Sequence, residues 1–201
     1  RALLLNNKDS LDTKFIVDYN KRIISIEKQP FTISDIKYWN KFGISIKTLV
    51  EFNVYSCKRV WYNGSLIKIY KDLDPIYAYE FNRYKSKCYK LYQPLTSDKS
   101  KKWMFNGSVD FIEGFDQLPL FGDLLIITKS TKDIMCLYEL GYNSISLQGE
   151  TNTLSFDNYT KLSKRFKTII SLYDNDEPGI KGANRLLKGF EIEPFYIPLE
   201  T

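Results

Sequence analysis

The chain has 201 residues with 29 Lys+Arg against 24 Asp+Glu, no histidine, and three scattered cysteines, Cys57, Cys88 and Cys136. This excludes histidine acid/base chemistry and a zinc ribbon or finger within these residues, and the odd set of thiols points to a reducing compartment. No apolar run approaches the ~20 residues that span a bilayer and no signal-peptide pattern opens the chain, so a soluble, cytoplasmic protein without a membrane partner is expected; the opening Arg1 reads as the start of a fragment or processed product.

Charge divides the chain. Residues 1–122 carry 20 Lys+Arg against 13 Asp+Glu, whereas residues 123–201 carry 9 against 11. A basic lobe over 1–122 and a mildly acidic domain over 123–201 are therefore expected, the first suited to a polyanion and the second to a cation.

In the first lobe, TISDIKYWNKFG (32–43) offers Thr32 or Ser34 as N-cap, apolar Ile36 and Trp39, and Gly43 as a stop; ISIKTLVEFNV (44–54) predicts a second short helix. From Cys57 to Trp103 the texture becomes tyrosine-rich runs broken by NG (63–64), DP (74–75) and QPLTSDKS (93–100), the pattern of antiparallel strands with turns. Along 83–103 Arg83, Lys85, Lys87, Lys90, Lys99, Lys101 and Lys102 interleave with Tyr84, Tyr89, Tyr92 and Trp103. Lysines neutralise phosphates and aromatic faces stack bases, which suits single-stranded nucleic acid. The same pattern fits an edge strand guarded by lysines.

The second half alternates. LLIIT (124–128), NSISLQ (143–148), TIISLYD (168–174) and PFYIPL (194–199) read as strands. Between them, Ile134, Leu137 and Tyr138, then Phe156, Tyr159, Leu162 and Phe166, then Ile180, Ala183, Leu187 and Phe190 read as helix faces. The order β-α-β-α-β-α-β predicts an α/β domain with a mainly parallel sheet flanked by helices, its site at the carboxyl ends of the strands. IITKSTKD (126–133) sets Lys129, Ser130, Thr131, Lys132 and Asp133 at the first such end, with Ser130 or Thr131 as an N-cap or an anion contact; LQGE sets Glu150 at the second; SLYDNDEPG (171–179) sets Asp174 and Asp176 at the third.

Neighbouring carboxylates oppose each other's ionisation unless a cation lies between them, and Asp174 with Asp176 could share a hard divalent ion through oxygen. A calcium loop is excluded, since the third ligand position falls on Pro178 and the closing one on Arg185. A solvated turn and carboxylates stabilising the next helix start remain open.

The βαβ order, the charged end of the first strand followed by Asp133, the glycine and acid after the second, and DNDEPGIKGANRLL (174–187) resemble the TOPRIM domain of primases, topoisomerases and related nucleases. The KCYKLYQP, KKWMFNG and GFDQLP segments ahead of it resemble the basic lead-in of bacteriophage-type primases, so the resemblance runs over about residues 31–199. It implies a primase RNA-polymerase core making short RNA primers on single-stranded DNA from nucleoside triphosphates, with Mg²⁺ or Mn²⁺ on Asp174, Asp176, Glu150 and Asp133, and with a replicative helicase as a partner. Asp174, Asp176, Glu150 and Lys129 would then be catalytic. Arg83, Lys85, Lys87, Lys90, Lys101, Lys102, Trp103 and Lys132 would bind nucleic acid or nucleotide. The family has a glutamate where this chain has Lys129; the reading is that Glu150 restores that carboxylate while Lys129 contacts phosphate or pairs with the acids. A TOPRIM nuclease and a non-catalytic single-strand-binding module with a decayed site are the alternatives.

Overall fold

An antiparallel sheet and a parallel sheet are joined through one helix that packs on both halves. The computed structural model describes residues 22–83, 86–108 and 111–198, with the side chains of Arg83 and Ser86 outside that description. The antiparallel sheet is built from β1 (Ile24–Gln29), β2 (Val54–Tyr62), β3 (Ser65–Ile69), β4 (Tyr77–Arg83), β5 (Ser86–Tyr92) and β6 (Trp103–Phe105) in the order β1-β2-β4-β5-β6, with β3 also paired to β2. Asn63 and Gly64 take φ of 48° and 81°, the left-handed pair that a tight hairpin between β2 and β3 requires.

Two short helices cover one face of this sheet, α1 (Ile33–Asn40) and α2 (Ile46–Glu51). Helix α1 starts on a capping box: the Asp35 backbone N–H donates to Thr32 Oγ1 (3.1 Å) and the Thr32 N–H donates to Asp35 Oδ2 (2.9 Å). Asp35 is fully buried, and its Oδ1 accepts from the hydroxyls of Tyr77 (2.8 Å) and Tyr70 (2.9 Å). Trp39, Leu49, Phe52, Tyr77, Tyr79, Phe81 and Tyr92 form the core beneath these helices. The opposite sheet face packs Ile24, Cys57, Val60, Ala78 and Leu91.

The parallel sheet has the order β10-β9-β7-β8, from β7 (Gly122–Thr128), β8 (Ser144–Ser146), β9 (Phe166–Ser171) and β10 (Glu193–Pro194), every pairing parallel. The crossovers are α3 (Thr131–Glu139), α4 (Phe156–Ser163) and α5 (Glu177–Phe190). The predicted alternation is therefore present. Several predicted details are not. Phe166 opens β9 rather than closing α4, and Phe156 is exposed. The last strand is two residues long rather than six. On α5, Ile180 faces out and the buried stripe is Gly179, Gly182, Ala183 and Leu186; hydrophobic counting passes over glycines, yet it is they that let this helix approach the strand ends.

Helix α3 connects the halves. Its Ile134 and Met135 enter the same core as Trp39, Leu49 and Tyr79, its Glu139 Oε1 accepts from the Ser45 backbone N–H (2.6 Å), and Phe52 meets Tyr138 edge-on at 5.3 Å. No helix among the described residues is long and apolar enough to cross a membrane.

Asp35→Ala is expected to lower stability by about 2–4 kcal/mol, since it removes a cap and strands two tyrosine hydroxyls at once. Denaturant unfolding measures this; a loss below 0.5 kcal/mol, the range of ordinary surface changes, would contradict the network.

Candidate nucleotide and nucleic-acid cleft

Strand β7 has β8 on one side and β9 on the other, so the chain leaves it in one direction and returns on the other side. Such a reversal opens a crevice at the carboxyl ends of the strands. Thr128 ends β7, and Lys129 and Ser130 fall in that crevice before α3 begins. Ser130 caps α3: the Asp133 N–H donates to its Oγ (3.3 Å), and that hydroxyl donates to Asp133 Oδ2 (2.7 Å). After β8, Gln148 at φ 63° and Gly149 at φ 131° turn the chain sharply and bring Glu150 to the same rim; only a glycine adopts the second value without strain.

The antiparallel sheet supplies the facing wall. On β5, Lys90 and Tyr92 share one side, and Trp103 stacks on Tyr92 with ring centroids 4.1 Å apart and planes 15° apart. The Lys90 ammonium lies 4.9 Å from the Trp103 ring centre. Lys102, Trp103 and Phe105 complete this wall, and with Lys129, Lys132, Asp133 and Glu150 opposite they enclose a cleft of about 530 Å³. Lys132 reaches back over the Phe42 ring at 4.1 Å.

Behind Lys90, beneath the cleft lining, lies a group that sequence reasoning missed, Glu113. It is fully buried. Its Oε1 accepts from the Lys90 ammonium at 2.5 Å, and its Oε2 accepts from the Thr131 hydroxyl. Its own backbone N–H and carbonyl pair with Ser146 of β8 at 2.9 and 3.0 Å. One carboxylate thus ties β5, the first turn of α3 and the edge of β8 together. In the sequence it is a lone acid between Ile112 and Gly114, with no spacing that marks it.

The strand-end acids are placed differently from one another. Strand β9 stops at Ser171, three residues before Asp174. Asp174 pairs with the Lys129 ammonium, as one of the two readings of Lys129 expected. Asp176 is the N-cap of α5, its Oδ1 accepting from the Gly179 N–H at 2.9 Å. Gly179 lies against the Asp174 carbonyl so closely that a Cβ would collide with it. Gly182 would in turn meet the Glu150 carbonyl at 2.7 Å, and Arg185 donates to that same carbonyl.

Of the residues expected to act here, Lys90, Lys102, Trp103, Lys129, Lys132, Asp133 and Glu150 line the cleft, with Asp174 joined to it through Lys129. Lys87 is on the opposite face of β5, where strand alternation sends its side chain, and it pairs with Glu80 at 3.1 Å. Burial beside Glu80 does not leave that carboxyl at its ordinary value: desolvation pushes it up, and the hydrogen bonds from Lys28, Lys87 and Tyr89 outweigh this and hold it below the usual range. Lys101 pairs with Asp98 at 3.0 Å and is well exposed. Lys85 and the Arg83 side chain lie outside the described residues.

The resemblance implies Mg²⁺ on the strand-end acids. Their oxygens suit a hard cation, but their arrangement offers no ready set: Asp174 is taken by Lys129, one oxygen of Asp176 by the start of α5 and one of Asp133 by Ser130. Among the described residues no three acids or cysteines gather as a ligand group.

A basic antiparallel lobe is thus set against a parallel sheet with charged strand ends. Residues 126–198 match the Toprim-like family model. The described chain as a whole has the fold of a primase catalytic core. It is similar to the DnaG catalytic core at TM-score 0.65 with 15% identity, covering 86% of this chain and 67% of that one. Against the DnaG primase catalytic domain bound to single-stranded DNA the values are 0.63, 13%, 86% and 68%. Against the bacteriophage T7 primase domains bound to an RNA/DNA hybrid and dTTP, in complex with the lagging-strand DNA polymerase, they are 0.51, 16%, 86% and 72%. No curated protein matches the chain in sequence.

Removing one partner of a buried charge pair costs about 3–5 kcal/mol, while replacing both by apolar groups is often near neutral. Glu113→Ala is therefore expected to destabilise in that range, and Lys90→Met with Glu113→Leu to recover most of the loss. Equal, additive losses in urea melts of the singles and the double would contradict a coupled pair.

Proposed function

We propose that the chain is the catalytic core of a DNA primase, joining ribonucleotides into short primers on a single-stranded DNA template. The observation that carries this reading is the cleft itself, with lysines and stacked aromatics on one wall and the strand-end charges of a Toprim-like domain on the other. Lys90 and Lys102 neutralise phosphates of the template or the incoming triphosphate. Trp103, with Tyr92 already stacked on it, presents a rigid aromatic surface to a base. Lys132, held over Phe42, meets phosphate from the opposite wall. Glu150 is the carboxylate placed to take the proton of the attacking 3′-hydroxyl, and in-line positioning in a cleft of fixed cations supplies most of what phosphoryl transfer asks of a protein. Residues 1–122 serve as the template and nucleotide lobe and 123–201 as the catalytic domain, with a replicative helicase as an expected partner and the cytoplasm as the compartment, that of the host if the gene is a phage's.

The Lys129–Asp174 pair favours a second reading, a module that binds single-stranded nucleic acid without catalysis, because it leaves one acid of the rim already neutralised. Incubation with single-stranded DNA, labelled ribonucleoside triphosphates and Mg²⁺ or Mn²⁺ separates the readings. Oligoribonucleotides that vanish in Glu150→Gln and Asp174→Asn support the primase. Shortened DNA would make it a nuclease, and retention of DNA with no product would make it a binding module.

Lys102 lines the cleft whereas Lys101 points away to Asp98. Lys102→Ala is therefore expected to reduce the slope of log affinity for single-stranded DNA against log salt by roughly 0.7–1, one phosphate contact, and Lys101→Ala to leave it nearly unchanged. Anisotropy titrations at several salt concentrations would refute the placement if the two variants behaved alike.

A further inference from the structure

We infer that Lys129 is the resident counter-ion of the strand-end acids, so that the free protein holds bare divalent ions weakly and admits one only when a triphosphate takes over the lysine. The inference rests on the reading of the cleft as a triphosphate site, and concerns what that site does before substrate arrives.

The Lys129 ammonium contacts Asp174 directly. A divalent ion entering among these acids must displace it or tolerate it, and a fixed positive charge within a few ångströms opposes a second cation strongly in a partly desolvated cleft. Two of the three neighbouring acids are poor alternative seats. Asp176 is committed through Oδ1 to the first turn of α5 and Asp133 through Oδ2 to Ser130, so recruiting either would loosen a helix cap.

The same pair is nevertheless made to open. The side chains are 34% and 50% exposed for Lys129 and Asp174, so the contact is screened and exchanges its partners at small cost, unlike the buried pair at Lys90. Lys129 also lines the cleft, where phosphates entering between Lys90, Lys102 and Lys132 would come within its reach. Phosphate oxygens are stronger partners for an ammonium than a half-solvated carboxylate is. Once the lysine turns to them, Asp174 is left as an open oxygen ligand beside the metal that a triphosphate carries with it. Metal and nucleotide would thus bind with positive coupling, each raising the affinity of the other by the same factor.

The test is a titration of Mn²⁺, free ion followed by electron paramagnetic resonance, on the full chain and on Lys129→Gln, Lys129→Glu and Lys129→Gln with Asp174→Asn. Without nucleotide, Lys129→Gln is expected to bind Mn²⁺ about tenfold more tightly than the native chain and Lys129→Glu more tightly still, as removal and then reversal of one nearby charge requires. Adding Asp174→Asn should abolish the gain. With a ribonucleoside triphosphate analogue that cannot be cleaved between its α and β phosphates, the native chain should gain Mn²⁺ affinity by a comparable factor, and Lys129→Gln by much less. Equal bare-Mn²⁺ affinity in the native chain and both Lys129 variants, or a gain that survives Asp174→Asn, would overturn the inference. Unchanged thermal unfolding across the series, expected for a half-exposed pair, separates the effect from misfolding. The bare-ion comparison needs neither template nor turnover: if it succeeds and no primers ever form, the role of Lys129 stands and the primase reading falls.

Discussion

The arrangement depends on one buried carboxylate. Glu113 sits where the antiparallel sheet, helix α3 and the edge of the parallel sheet meet, and it accepts from Lys90 and Thr131 while its backbone pairs with Ser146. A nearly buried ammonium left without such a partner would bear its desolvation cost uncompensated. Because apolar replacements of buried ion pairs are often no less stable, the pair is better explained by orientation than by stability. It fixes a cation at the floor of the cleft with its rotamers already restricted, and it holds the two walls at one spacing. A loosely tethered lysine would have to be ordered at each binding event.

From that floor upward the cleft carries both signs. Lys90 and Lys102 on one wall face Lys129, Lys132, Asp133 and Glu150 on the other, with Asp174 at its margin. The closely spaced aspartates after β9 are each held by a separate device. Lys129 neutralises Asp174, and the amide groups at the start of α5 receive Asp176, where the helix dipole favours a negative charge. Gly179 is what permits this, since any side chain there would force the helix start away from the Asp174 carbonyl.

Much of this was legible in the sequence. Strong periodicity marked the βα alternation, and short turn signals such as Asn63-Gly64 marked the hairpins, because both are local consequences of side-chain spacing and backbone freedom. Thr32 and Ser130 were each one of two cap candidates in their segments for the same reason, and the structure selects them over Ser34 and Thr131. The cleft residues Lys90, Lys102, Trp103, Lys129 and Glu150 followed from strand order and charge. What stayed hidden depends on contacts distant in the chain. Glu113 acquires its meaning from Lys90, 23 residues before it, and Thr131, 18 after. Lys87 and Lys90 look equivalent in a basic run, yet strand alternation puts them on opposite faces. Asp176 was one of two like charges in the sequence, and only the position of Gly179 shows which of them the helix claims.

The most direct test of this account is a crystal structure of the protein grown with Mn²⁺ and an uncleavable ribonucleoside triphosphate, with the metal located by its anomalous scattering. The account predicts the triphosphate between Lys90, Lys102 and Lys132, the Lys129 ammonium turned from Asp174 to phosphate oxygen, and manganese beside Asp174. A triphosphate bound elsewhere with the cleft empty, or manganese seated among the acids while Lys129 still pairs with Asp174, would contradict it.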